Sequence, residues 1–195
     1  MTAIYLAKIP KQIQGEIYCK ERNLEIFSCQ SEKVKRQKFY AWRLLELCAK
    51  KHSFNVENLH FSKAQNGKWK CNEFEFSLSH SEDYVAIILS NKNVGIDIQK
   101  ACDLKCDYFA EKILTEQENL EYIKLSENEK QRYLLEKWTQ KESIYKMLEM
   151  GDLKISKINC SNYKVNTIEL ILDGDTYYLS YAPLEKDICV NIIKI

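Results

Sequence analysis

The stretch WTQKESIYK, residues 138–146, is the starting point for interpreting this chain of 195 residues. In a helix, Trp138, Glu142 and Lys146 recur every four residues and share one face. The simplest interpretation is an exposed helix face with an ordinary ion pair between Glu142 and Lys146, worth roughly 0.2–0.5 kcal/mol. The alternative is that the carboxylate and the ammonium both point into a site, and residues further upstream favour it.

The composition is that of a globular protein. Hydrophobic residues make up 45% of the chain and charged residues 29%, with only five Gly and two Pro, which argues against disorder. No apolar run has the length of a membrane span, and the N-terminus lacks a signal-peptide pattern. We therefore expect a cytoplasmic protein with no membrane partner. The eight cysteines include no CxxC pair, so neither disulfides nor a zinc site is predicted.

Positive charge is concentrated between residues 33 and 43, where it includes Arg36 and Arg43. Such a cluster is usually a solvated helix face, but it also suits a phosphorylated ligand or an acidic partner. The net charge of only +1 and the lack of stacking aromatic motifs argue against nucleic acid as a partner.

Hydrophobic periodicity predicts an α+β protein. Ser31 is expected to cap a helix over 32–51, and Ser126 a second long helix that Gly151 ends. The capping-box signature Thr115-x-x-Glu118 predicts a shorter helix before it. The expected strands cover residues 3–9, 69–76, 84–89, 94–99, 163–172, 177–181 and 188–195, with a turn at Asn66-Gly67.

Two similar halves are expected from this order of elements. Residues 1–100 would hold the basic helix and Asp97, and residues 101–195 the 138–146 helix followed by a terminal meander of three strands. Each half would contain a small antiparallel sheet and a long helix.

Two acids stand out for the cost of burying them. In the strand 94–99, Val94, Ile96 and Ile98 point one way, so Asp97 and Gln99 point the other. A buried carboxylate must be paired, protonated or bound to a metal. Asp97 could simply accept backbone hydrogen bonds at a strand end. If it instead converges with Glu142, a hard divalent ion such as Mg²⁺ resolves the repulsion between the two.

Hydroxyl groups and cations provide a third signal. Ser77-Leu78-Ser79-His80-Ser81 precedes a buried strand, where a turn with three hydroxyls and an imidazole would suit phosphate oxygens. Lys68 adds a cation after the glycine of the predicted turn. A lone His is more often structural than functional, but the combined pattern indicates a polyphosphate site with Mg²⁺.

These motifs together resemble the 4′-phosphopantetheinyl transferases, in their Sfp-type, pseudodimeric branch. The resemblance is carried, in order, by Gly67-Lys68, FSLSHS at 76–81, VGIDI at 94–98, and W-x-x-KES-x-x-K at 138–146. It covers roughly residues 66–146. It implies two similar α+β halves, with Asp97 and Glu142 contributed from opposite halves to one cleft, and a monomer that suffices for activity.

The resemblance also implies an enzyme that transfers the phosphopantetheine arm of coenzyme A to a serine of an apo carrier protein. Asp97, Glu142 and Gln99 would hold Mg²⁺, Glu142 would take the serine proton, and Lys146 would stabilise the leaving phosphate. The residues expected to bind coenzyme A are Lys68, Ser79, His80, Lys141 and Lys146, with Arg36 and Arg43 as further candidates. Lys141 would steady either the helix or a phosphate.

The chain departs from the family pattern at three positions. Gln99 stands where a third acid is often found, Trp69 where Pro is usual, and Ser77 where Asn is common. The first puts the strength of metal binding in doubt, and the others the local turn and the phosphate contacts. A non-catalytic homologue that only binds coenzyme A or a carrier is the main alternative, although a pure binder would need neither acid.

Overall fold

The structure, a computed structural model, describes residues 2–64, 67–149, 154–183 and 188–195 and divides into two compact units. Residues 1–93 and 187–195 form the first unit, and residues 94–186 the second. The helices are α1 (Lys20–Phe27), α2 (Glu32–Lys51), α3 (Cys106–Ile113), α4 (Glu116–Tyr122) and α5 (Glu127–Leu148). The strands are β1 (Thr2–Lys8), β2 (Phe61–Lys63), β3 (Trp69–Cys71), β4 (Glu75–Ser81), β5 (Tyr84–Ser90), β6 (Gly95–Lys100), β7 (Asn166–Leu172), β8 (Asp175–Ala182) and β9 (Val190–Ile193).

The first unit contains a four-stranded sheet in the order β4-β5-β1-β9, beside helix α2. Ser31 caps α2 as predicted, because its side chain accepts a hydrogen bond from the Val34 amide. The α2 residues expected to be apolar core, including Leu44 and Leu45, are fully buried. Every residue of β5 is buried, as its nearly continuous apolar sequence predicts.

The second unit places α5 against one face of a three-stranded antiparallel sheet in the order β6-β8-β7. Both predicted capping boxes form. Glu129 accepts hydrogen bonds from the amide and hydroxyl of Ser126, and Glu118 does the same for Thr115. The α+β class is therefore confirmed for both units.

The predicted meander is wrong, and the boundary between the halves lies elsewhere. Strands β7 and β8 form a hairpin, but β9 pairs in parallel with β1 at Ile4 to Ala7. Strand β6 pairs with β8 and therefore belongs to the second unit with Asp97. Strand patterns in a sequence do not specify their partners, so pairings across more than a hundred residues had to come from the tertiary structure.

The region 69–81 also differs from its prediction. The single strand expected at 69–76 is interrupted, and Ser77 to Ser81 lie within β4, not in a turn. The chain reverses one residue later, at Glu82, which has a positive φ of 48°. Helix α1 was not predicted. Asn66 and Gly151 lie outside the described residues, and α5 ends at Leu148.

Within the described residues, no helix has both the length and the apolar character needed to cross a membrane.

Candidate active site

Gly95 allows α5 to approach β6 closely. A Cβ atom built on Gly95 would lie 1.8 Å from the Ser143 carbonyl oxygen and 2.7 Å from the Met147 amide nitrogen. No real side chain can occupy that space, so the absence of a Cβ sets how near the helix backbone lies to the strand. Ser143 is itself small and fully buried. This contact brings the helix residues on either side of Ser143 beside Asp97.

Asp97 and Lys146 form an ion pair across this contact. The Lys146 ammonium donates to Asp97 Oδ1 at 2.7 Å and to the Ile96 carbonyl at 3.1 Å. The Asp97 side chain is only 10% exposed, and that of Lys146 is 26% exposed. Lys146 therefore neutralises a buried carboxylate of the strand, which rules out the surface pair between Glu142 and Lys146 as the role of this lysine.

Glu142 lies one helical turn before Lys146 and is half-buried. Within the part of the chain that the structure describes, no donor makes a hydrogen bond to its carboxylate. Burial raises the pKa of the Glu142 carboxyl above its ordinary 4.5, Lys146 opposes the rise, and the negative charge of Asp97 adds to it. Glu142 is thus a carboxylate with unused acceptor capacity beside a second carboxylate and a cation.

Both acids belong to the second unit, so the expectation that they come from opposite halves is wrong. The pairing of β6 with β8 and the packing of α5 on β6 are the physical reason. The sequence-based division of the chain lies seven residues too late, at 100 instead of 93.

The oxygen atoms of Asp97, Glu142 and Gln99 are of the kind that binds a hard divalent cation. Asp97 and Gln99 are two residues apart in β6, so their side chains lie on the same face of the strand. The Gln99 amide nitrogen donates to the Lys100 carbonyl at 3.2 Å. Two carboxylates and an amide oxygen are the ligand types that Mg²⁺ takes in proteins, with water and phosphate oxygens completing the shell. No group of three or more His, Cys, Asp or Glu that could hold a metal ion occurs among the described residues, so Gln99 and non-protein ligands would have to contribute.

Lys141 fits the expected role of steadying its helix and not that of a phosphate ligand. Its side chain is fully buried, and its ammonium lies 2.6 Å from Glu118 Oε2 and 2.6 Å from the Ile158 carbonyl oxygen. Glu118 also accepts hydrogen bonds from Thr115 and from the Cys160 amide. The Lys141 charge is thus used inside the unit, because an unpaired ammonium in the core would be costly.

Glu118, which the motif reasoning used only as a helix cap, is the buried partner of Lys141. Its lowered pKa reflects the opposition between burial, which raises it, and the stronger combined effect of hydrogen bonds from Lys141, Thr115 and Cys160. Trp138 is part of the apolar cluster, as expected, with its ring 5.5 Å from that of Phe109.

The remaining predicted ligand residues lie in the first unit. Ser79 is buried and His80 exposed on neighbouring positions of β4, and Lys68 is partly exposed just before β3. Arg36 donates to the Lys11 carbonyl at 3.0 Å. Arg43 donates to the Glu16 carbonyl and lies 3.2 Å from the buried Glu46. Both arginines therefore also hold the segment that precedes α1.

Comparisons with known proteins identify the family of the chain. The family description "4′-phosphopantetheinyl transferase superfamily" matches residues 93–192, which contain all of the Asp97–Glu142–Lys146 cluster. The chain belongs to this superfamily. It is also 28% identical over 166 residues to the 4′-phosphopantetheinyl transferase gsp of Aneurinibacillus migulanus, an alignment that covers 77% of this chain and 67% of that protein.

Membership shows that the chain is an enzyme, a 4′-phosphopantetheinyl transferase, and confirms the resemblance drawn from its motifs. The three residues that the superfamily motifs predicted to be catalytic, Asp97, Glu142 and Lys146, are those that the second unit brings together. In this cluster, one ion pair lies beside a carboxylate that accepts no hydrogen bond from the residues that the structure describes.

Proposed function

We propose that this enzyme transfers the 4′-phosphopantetheine arm of coenzyme A to a serine hydroxyl of an apo carrier protein and releases 3′,5′-ADP. The observation that carries this proposal is the half-buried Glu142 carboxylate, which has no donor within the described residues, beside the Asp97–Lys146 ion pair. A helical carboxylate in a merely structural role would be expected to have a partner, as Glu118 has.

Glu142 is proposed as the general base. Burial raises its pKa, which makes it a better proton acceptor than an ordinary carboxylate. It would take the proton of the carrier serine, directly or through a water. The serine oxygen then attacks the phosphorus that bears the pantetheine arm, and the bond to the bridging oxygen of the pyrophosphate breaks.

Lys146 would stabilise the negative charge that develops on the departing phosphate. Its side chain is already held at the site by Asp97 and the Ile96 carbonyl, so little reorganisation is needed. Asp97, Glu142 and Gln99 would hold Mg²⁺, which neutralises pyrophosphate charge when it is bound. Lys68, Ser79 and His80 are proposed to bind the phosphates of coenzyme A, since they are the cationic and hydroxyl groups of the matching motifs. Arg36 and Arg43 are further candidates because they belong to the basic stretch 33–43.

The two units are proposed to be the two similar halves of the pseudodimeric fold. Each contains one helix of at least 20 residues and one antiparallel sheet core, α2 in the first unit and α5 in the second. A monomer would then contain the complete fold.

One assay tests the proposed reaction. The protein is incubated with coenzyme A, Mg²⁺ and apo carrier proteins from fatty-acid, polyketide and peptide synthesis, and each carrier is weighed by mass spectrometry. The expected result is a mass increase of one phosphopantetheine arm on at least one carrier. A carrier whose acceptor serine is replaced by Ala is the control and should not change. A folded enzyme that modifies none of the carriers would refute the proposal.

A further inference from the structure

A hydroxyl chain, formed by the side chains of Thr139, Ser180 and Thr167, joins α5 to the sheet of the second unit. The Thr139 and Ser180 hydroxyls lie 2.8 Å apart, as do those of Ser180 and Thr167. The Gln140 amide donates to Thr167 Oγ1 at 3.0 Å, and Thr139 Oγ1 lies 3.1 Å from the carbonyl oxygens of residues 135 and 136. Thr139 and Ser180 are completely buried.

One direction of donation satisfies the whole chain. Gln140 has no proton acceptor at its amide nitrogen, so it donates to Thr167. Thr167 can then donate to Ser180, Ser180 to Thr139, and Thr139 to the backbone carbonyls of α5. Each hydroxyl gives its single proton and accepts one, which is the condition under which a buried polar network stabilises one arrangement. This hydroxyl chain begins and ends on α5 and passes through β7 and β8.

The hydroxyl chain adjoins the residues that are proposed to be catalytic. Ser180 is the register partner of Asp97 on one side and of Thr167 on the other. Directly opposed residues of antiparallel strands place their side chains on the same face. The three side chains therefore form a row across the sheet, on the face that α5 covers. Thr139 meets this row one turn before Glu142.

We propose that Thr139, Ser180 and Thr167 are positioning residues, whose hydrogen bonds fix the rotation of α5 so that Glu142 and Lys146 face Asp97. The contact at Gly95 sets how close α5 lies to the strand, but it does not by itself prevent the helix from turning about its axis or sliding along it. The hydroxyl chain supplies that restraint. The proposal rests on the proposed function for its catalytic consequence, since a displacement of about 1 Å can cost on the order of 10²-fold in rate.

Two substitutions at Thr139 separate hydrogen bonding from packing. Thr139→Val keeps the size of the side chain and removes the hydroxyl, whereas Thr139→Ser keeps the hydroxyl and removes a methyl group. We expect Thr139→Val to lower kcat at saturating coenzyme A about tenfold or more relative to Thr139→Ser, with the KM for coenzyme A changing less than about twofold. The control is Thr176→Val, the same substitution on β8, the strand that carries Ser180. Thr176 lies outside the hydroxyl chain, so this change should leave kcat unaltered.

A second measurement does not depend on carrier transfer. The ammonium group of Lys146 is observed by nitrogen-15 NMR in the protein without substrates, where its ion pair with Asp97 slows exchange with water. Its signal should shift or broaden in Thr139→Val and remain in Thr139→Ser and Thr176→Val. The double variant Thr139→Val with Ser180→Ala should lose little more activity than Thr139→Val alone, because the chain is already interrupted.

The outcomes distinguish the two proposals. Equal kcat values for Thr139→Val and Thr139→Ser, or a larger loss for Ser, would show that position 139 acts through packing and would overturn the positioning role. If the wild-type protein modifies no carrier, the proposed function fails. The positioning role is then judged by the Lys146 signal alone, and an unchanged signal in folded Thr139→Val overturns it as well.

Discussion

Replacing Lys141 by Met tests the buried ion pair between Lys141 of α5 and Glu118. Removing one partner of a buried pair costs roughly 3–5 kcal/mol, because the other charge is left uncompensated. Glu118 would keep the hydrogen bonds from the Thr115 amide, the Thr115 hydroxyl and the Cys160 amide. The loss in the free energy of unfolding is therefore expected at the lower end of this range, about 3 kcal/mol. The Ile158 carbonyl also loses its Lys141 donor, which adds about 1 kcal/mol. The expected total is about 4 kcal/mol.

The loss should be read from amide hydrogen exchange of α5, which reports the free energy of opening in this unit. Lys130→Met is the control on the same helix, since it removes a lysine whose partner, Glu127, is 83% exposed. It should cost less than about 1 kcal/mol. Adding Glu118→Gln to Lys141→Met should recover at least about 2 kcal/mol, because the uncompensated charge is then absent.

The pH dependence gives a further check with a definite sign. The pKa of Glu118 is lowered in the folded protein, so its ionised form contributes stability above its unfolded pKa, and this contribution is lost as the pH falls through the folded pKa. In Lys141→Met the Glu118 pKa should rise. The deficit of the variant should therefore be largest at neutral pH and shrink in acid. A loss below about 1 kcal/mol at pH 7, or one that does not depend on pH, would refute this reasoning.

Three further results are expected. Gly95→Ala should cost about 3 kcal/mol by denaturant unfolding and abolish transfer, because its methyl group would overlap the Ser143 carbonyl; near-normal stability would mean that α5 can move away freely. Because the pKa of Glu142 is raised in the folded protein, its contribution to stability is complete below an ordinary carboxyl pKa and is lost as the pH rises through the folded pKa. Glu142→Gln should therefore gain stability relative to wild type as the pH rises. The rate of transfer should fall about 10²-fold or more. Parallel stability curves would contradict the assignment. Gln99→Glu should bind Mg²⁺ more tightly by calorimetry, since it adds a third carboxylate to Asp97 and Glu142, and weaker binding would show that position 99 is not a ligand.

Much of the local structure was predictable because local interactions determine it. Ser31 and Ser126 cap the two long helices, and the continuous apolar run of β5 is buried as predicted. The alternation that put Asp97 on the face opposite Ile96 also holds, because the side-chain period of a strand is set by its backbone. These predictions needed no information about distant residues.

The role of Lys141 could not be derived in the same way. The motif that contains it suggested a phosphate ligand, and its spacing is compatible with either an exposed or a buried side chain. The structure buries it because Glu118, 23 positions earlier in the sequence, and the Ile158 carbonyl meet its ammonium. A buried ammonium requires such partners, and sequence spacing alone does not reveal them.

The sequence by itself determined the class of the protein, its family and its long helices, since periodicity, capping and motif order are properties of neighbouring residues. Only the tertiary structure decided that β9 pairs with β1, that Lys146 pairs with Asp97 rather than Glu142, and that Asp97 and Glu142 share one unit. Each of these depends on which distant segments pack together. That choice is made by the combined burial and hydrogen bonding of the whole fold, which no local pattern records.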